Sequence, residues 1–136
     1  MDHDMLAARL SELLSQMHGR AMVHDAYRTL EGDGGPLLLI DGDCYHLIWI
    51  ERGQESSRQS TADAEGMVFR ILSDSAFSAG VAFEFAHRVE GPDFRRMVHA
   101  KQRELFARLG PEWRARLEAE IAKVLAMHPY LDAPPS

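Results

Sequence analysis

Seven histidines and one cysteine are the residues best suited to chemistry in this 136-residue chain. The histidines stand at positions 3, 18, 24, 46, 87, 99 and 128. No two have the four-residue spacing that puts a pair of imidazoles on one helical face, and Cys44 has no second thiol to complete a zinc set. The expectation is no metal site, with the histidines at surfaces and helix ends. Cys44 and His46 would share one side of a strand, a nucleophile with a base two residues on. A lone cysteine on a half-buried strand is ordinary packing, however. There is no Gly-x-Ser-x-Gly elbow and no His-Glu-x-x-His pair. The glycine-rich run Glu31–Pro36 lacks the Lys-Ser/Thr and following helix of a phosphate cradle, and reads as a loop. These residues give no catalytic constellation and call for no cofactor.

Two charged clusters are left. Glu51-Arg52-Gly53 follows the most strand-like run in the chain, Tyr45–Ile50. His46, Ile48 and Ile50 would fall on one face of that strand, and Tyr45, Leu47 and Trp49 on the other. Large apolar groups on both faces predict a strand covered on both sides, so the two charges would sit at a core edge. The second cluster is Asp93-Phe94-Arg95-Arg96, with Glu84, Arg88 and Gln102 in reach by helical spacing or folding. Either the arginines pair internally with Glu51, Glu84 or Asp93, or they form a recognition surface.

The elements that must position these residues follow from periodicity. Met5, Leu6, Leu10, Leu13, Leu14 and Met17 predict an amphipathic helix over 2–18, stopped at Gly19. Leu37–Ile40 and Cys44–Ile50 predict a hairpin around Asp41-Gly42-Asp43. The polar segment Gln54–Ser60 reads as a loop, and Ala21–Leu30 as a possible third strand. Ser60 and Asp63 suggest a capping box before a helix to about Leu72. Ser73-Asp74-Ser75 predicts an interruption, then a helix to about Val89 with Glu84 and Arg88 paired one turn apart. Asp93 should cap the next helix, whose stripe is Phe94, Met97, Val98, Leu105 and Leu109. Gly110-Pro111 opens the last helix, with Trp113, Leu117, Ile121, Val124 and Leu125 on one face. Pro129 should stop it, and residues 131–136 should fray. The fold class is therefore α+β: an N-terminal helix, a small antiparallel sheet with a hairpin, then about four helices in one domain over 1–136.

Composition narrows the function classes. The net charge is −6, and residues 1–65 carry 5 Lys/Arg against 12 Asp/Glu. That acidity argues against nucleic-acid binding and suits a partner with a basic surface. An acidic N-terminus and the lack of a long apolar run predict a cytoplasmic protein with no membrane partner. Oligomeric state stays open, since a hairpin edge could pair with a second copy or be covered.

The ordered set of motifs resembles the bacterial immunity protein 63 family of polymorphic toxin systems. The set is Glu51-Arg52-Gly53 after a tyrosine-bearing strand, Ala82 and Glu84, Asp93-x-Arg95-Arg96, Gln102 and Leu105, Trp113, and His128-Pro129-Tyr130. It covers roughly residues 35–130. The resemblance implies a non-enzymatic protein that binds and neutralises a cognate toxin. It carries the motif onto Glu51, Arg52, Gly53, Glu84, Asp93, Arg95, Arg96 and Trp113, as partner contacts or as supports of the fold. The acidic first half then suits a toxin with a basic active-site cleft. The alternative reading is an anion-binding or regulatory domain in which Arg52, Arg95 or Arg96 lines a pocket. A hydrolase built on Cys44 and His46 is the third.

Overall fold

The structure is a computed structural model that describes residues 2–22 and 35–134. It is α+β, with an N-terminal helix, a three-stranded antiparallel sheet and a run of helices. The chain divides into two compact units, residues 1–15 with 19–71 and residues 16–18 with 72–136. No helix among the described residues is long and apolar enough to cross a membrane.

The first unit begins with α1 (His3–His18). Asp2 caps it by accepting from the Met5 amide at 2.8 Å. Gly19 closes it in the left-handed region, at φ 67°. Leu6, Leu10, Leu13 and Leu14 of the expected stripe are buried, but Met5 is exposed. Burial of each such leucine stabilises by about 1.5–3 kcal/mol. Arg9 forks onto Glu65 at 2.7 and 2.8 Å, which ties this helix to the segment after the sheet.

The sheet runs β1 (Gly35–Asp41), β2 (Cys44–Glu51), β3 (Gln54–Thr61), in that order. Asp41 pairs with Cys44 across the first turn. Only Gly42 has positive φ there, 60°, the pattern of a turn with glycine first. Two expectations change. Gly35 and Pro36, read as part of the glycine-rich loop, begin β1. Gln54–Ser60, read as a loop, is a full strand. Its residues are polar on both faces, so no apolar alternation marked it; the Arg52-Gly53 turn folds its backbone onto β2. Residues 23–30 of the possible third strand and 31–34 of the glycine-rich run lie outside the described residues. Along β2, Tyr45, Leu47 and Ile48 are buried, Trp49 and Ile50 half-buried, and Glu51 exposed. Cover on both faces therefore ends before the turn.

Asp63, not Ser60, caps α2 (Ala64–Ala86), accepting from the Glu65 amide at 3.1 Å. Ser60 belongs to β3, so the capping box is displaced. The helix runs 23 residues without the expected break. Serine and aspartate inside a helix cost only about 0.5 kcal/mol each, and Val68, Leu72 and Ala76 keep one buried stripe in phase across them. Three helices thus follow the sheet, two of the expected segments being one.

In the second unit the Ser75 hydroxyl meets His18 Nε2 at 2.8 Å instead of capping a helix. Gly80 lets α2 approach α3 (Phe94–Ala107): a Cβ there would stand 2.9 Å from the Val98 carbonyl oxygen. The buried face of α3 is Val98, His99, Gln102, Leu105 and Phe106, whereas Phe94 is exposed. Pro111 starts α4 (Pro111–Met127) after Gly110, and Leu117 and Ile121 are its buried residues. Arg103 reaches from α3 to Glu118 of α4 at 2.6 Å.

Candidate functional site

The predicted site residues fall into two groups. Glu51, Arg52 and Gly53 form the β2–β3 turn in the first unit. Arg52 has φ 53° and Gly53 φ 77°, both positive as a tight type I′ hairpin requires. Arg52 is the one non-glycine residue with positive φ among the described residues. All three are exposed, and so is every residue of β3 before Thr61. The expectation of two charges lodged at a core edge is therefore overturned. The strand outruns the core, and solvent replaces the pairing that burial would have demanded. Among the described residues neither Glu51 nor Arg52 has an ion-pair partner.

The rest of the hairpin is irregular in one respect. Trp49 pairs with Ser57 but Ile50 with Glu55, so Ser56 is an extra residue. Its hydroxyl donates to the Trp49 carbonyl at 3.2 Å. The bulge brings Glu55 and Arg58 onto one face, where they pair at 2.7 Å.

Asp93, Arg95 and Arg96 form the second group, at the start of α3. Asp93 caps the helix as expected: its Oδ1 accepts from the Arg95 amide at 2.9 Å. Arg95 Nη2 donates to the same carboxylate at 2.9 Å and to the Pro129 carbonyl at 2.8 Å, while Nη1 donates to the His128 carbonyl at 2.9 Å. The Leu131 amide adds a bond to Asp93 Oδ2 at 2.8 Å. Asp132 answers from the tail: Arg96 forks onto it at 2.9 and 2.6 Å, and it accepts from the Asp93 amide at 2.7 Å. Tyr130 lies beneath the Arg96 guanidinium, 4.2 Å from its ring centre, and its hydroxyl is 2.6 Å from His99 Nδ1. Ala133 closes the knot with a 2.7 Å bond to the Gly91 carbonyl. At Leu131 and Ala133 the backbone is thus held by the Asp93 side chain and the Gly91 carbonyl.

The knot sets its own electrostatics. The Arg95 guanidinium, then the Leu131 and Arg95 amides, hold the Asp93 carboxyl well below the usual carboxylate range. Arg96, with the Asp93 amide, lowers Asp132 to about 2. Burial, then the charges of Arg103 and Arg95, push His99 down, which favours the uncharged ring beside the Tyr130 hydroxyl.

Glu84 pairs with Arg88 as expected, Nη2 to Oε1 at 2.8 Å, and Arg88 lowers its pKa. Trp113 is half-buried in the first turn of α4, one turn before Leu117. His46 Nδ1 meets the Ser60 hydroxyl at 2.6 Å, which gives the Cys44–His46 reading no support. Among the described residues no cluster of three His, Cys, Asp or Glu could hold a metal ion. The alternative with an arginine-lined anion pocket loses two anchors, because Arg95 and Arg96 are spent on Asp93, Asp132 and main-chain carbonyls. Nothing in the sequence marks Asp132 as a partner of Arg96. Its place 36 residues after Arg96, past a proline stop, carries no local signal.

No curated protein and no solved structure matches the chain. The family model of Immunity protein 63 matches residues 41–123, from the turn before β2 into α4, and so takes in both groups. With more than half of its length matched, this chain belongs to the Immunity protein 63 family.

Proposed function

We propose that the chain is an immunity protein that binds a cognate bacterial toxin domain one to one, in the cytoplasm, and blocks it without catalysis of its own. Membership in the Immunity protein 63 family carries this reading. The acidity of residues 1–65 supports a toxin whose active-site cleft is basic, with long-range attraction speeding the encounter. The exposed β2–β3 turn and the polar strand β3 support binding by surface, since Glu51 and Arg52 stand in solvent with no ion-pair partner among the described residues.

The test is capture of the tagged protein from its own cells at low and high salt, with bound partners identified by mass spectrometry. One stoichiometric partner with a basic toxin domain is expected, with an association rate that falls as salt rises. A toxin domain that is purified and mixed with the protein but keeps full activity would overturn the proposal.

A further inference from the structure

The corner of the second unit where α2 ends, α3 begins and α4 ends holds an open groove of about 840 Å³. Its rim is apolar and solvent-facing. Val89 is 61% exposed, Phe94 55%, Met127 75% and Leu131 81%. Single exposed apolar side chains are ordinary, but four lining one concavity mark a contact surface. The knot at Asp93 braces this rim, because Leu131 is held by its amide and Asp93 by Arg95. The groove is therefore preformed, and a partner need not order it.

Two carboxylates line the groove beside Arg88, Arg95 and His128, and they differ. Asp93 is saturated by Arg95 and two amides. Glu84 is not. Its side chain is 5% exposed, while the side chain of its partner Arg88 is 63% exposed. The anion lies in the protein and the cation in solvent. Among the described residues, Oε2 accepts a single bond, from Arg88 Nε at 3.1 Å, and Oε1 takes the rest. A carboxylate oxygen has room for more, and a desolvated one gains most from a second cation.

We infer that this groove takes a segment of the toxin domain that presents an aliphatic or aromatic anchor with a lysine or arginine beside it. The anchor lies against Val89, Phe94 and Leu131, and the cation reaches Glu84 Oε2. The inference rests on the immunity reading, which supplies the partner; the groove supplies the chemistry of the contact. The required charge agrees with the basic toxin proposed above.

The experiment places a photo-crosslinking amino acid at Phe94 in the full chain, in its own cells, and at Ser57 of β3 in parallel. The expected product at Phe94 is a toxin-domain peptide with a Lys or Arg adjoining an apolar residue. That peptide, synthesised, should bind the wild-type chain and bind Glu84→Gln on the order of tenfold more weakly. Leu131→Asp should abolish binding, with unchanged thermal melts showing both variants folded. Toxin crosslinked from Ser57 alone would overturn the groove and leave the immunity reading standing. A second copy of this chain crosslinked at Phe94 would overturn the groove assignment too. No toxin crosslinked at Phe94 while the tagged chain still captures the toxin would overturn the groove alone, and a purified toxin domain left fully active by the protein would bring down both readings. Equal binding by Glu84→Gln would overturn the role of the carboxylate.

Discussion

The β2–β3 turn and the start of α3 carry the same kinds of residue, a carboxylate followed closely by arginine, and put them to opposite uses. At the turn, Glu51 and Arg52 stand in solvent, and the backbone at Arg52 adopts a conformation that favours glycine or asparagine. At the helix start, Asp93, Arg95 and Arg96 are consumed by a cap, a fork and a tail. One motif is spare charge on a hairpin, and the other holds the chain together. Membership of a motif therefore says nothing by itself about contact with a partner. The surroundings decide: where amides and carbonyls converge on a charge, it is structural.

Breaking the knot should have the largest effect. Asp93→Ala removes the cap, the Arg95 anchor and the Leu131 acceptor together. It should lower Tm by about 5 °C or more in a thermal melt. If Tm holds, the knot is not structural and the contrast collapses. Gly80→Ala calibrates that loss against plain overpacking in the same unit, where Val98 must give way; about 1–3 kcal/mol of destabilisation in urea unfolding is expected.

Acid should open the same knot selectively. Asp132 is held at about 2, below its ordinary value near 4. A depressed carboxylate contributes stability that is fully present above its unfolded pKa and lost as pH falls through the folded one. The Asp93 amide, which donates to Asp132, should thus lose hydrogen-exchange protection between about pH 4 and pH 2. His99 adds an earlier step. Its lowered pKa means that stability begins to fall as pH drops below about 6.5, where the unfolded chain takes up a proton first.

The hairpin should respond weakly in stability and strongly in binding. Arg52→Asn suits the positive φ better and should stabilise by about 0.5–1 kcal/mol. Removing the Glu55–Arg58 pair with Glu55→Gln should move Tm by no more than about 2 °C, as exposed pairs do. Both are read in the same melts. A large Tm loss from either would place the hairpin with the knot and erase the distinction.

How much of this was legible beforehand divides along the same line. Helix α1, the first hairpin and the cap at Asp93 each have local signals: an apolar stripe, an Asp-Gly turn and an acid before a helix. Strand β3 has none, because a strand polar on both faces shows no alternation, and its neighbour defines it. Ser73-Asp74-Ser75 reads as a break by local propensity, and the buried stripe that crosses it carries the helix through. Arg95 and Arg96 stand out in the sequence, but their partners at Pro129 and Asp132 are joined to them only by folding.

The extra residue at Ser56 has a consequence for the crowded cell. Sheet edges attract other strands, and β3 is an outer strand of this sheet. The bulge splits its ladder into a short stretch at Gln54–Glu55 and a longer one at Ser57–Thr61, slipped by one residue. A foreign strand that keeps step with one stretch is out of step with the other. A polar edge interrupted in this way resists growth into fibres, so the hairpin can stay open to a partner at high concentration without recruiting misfolded chains.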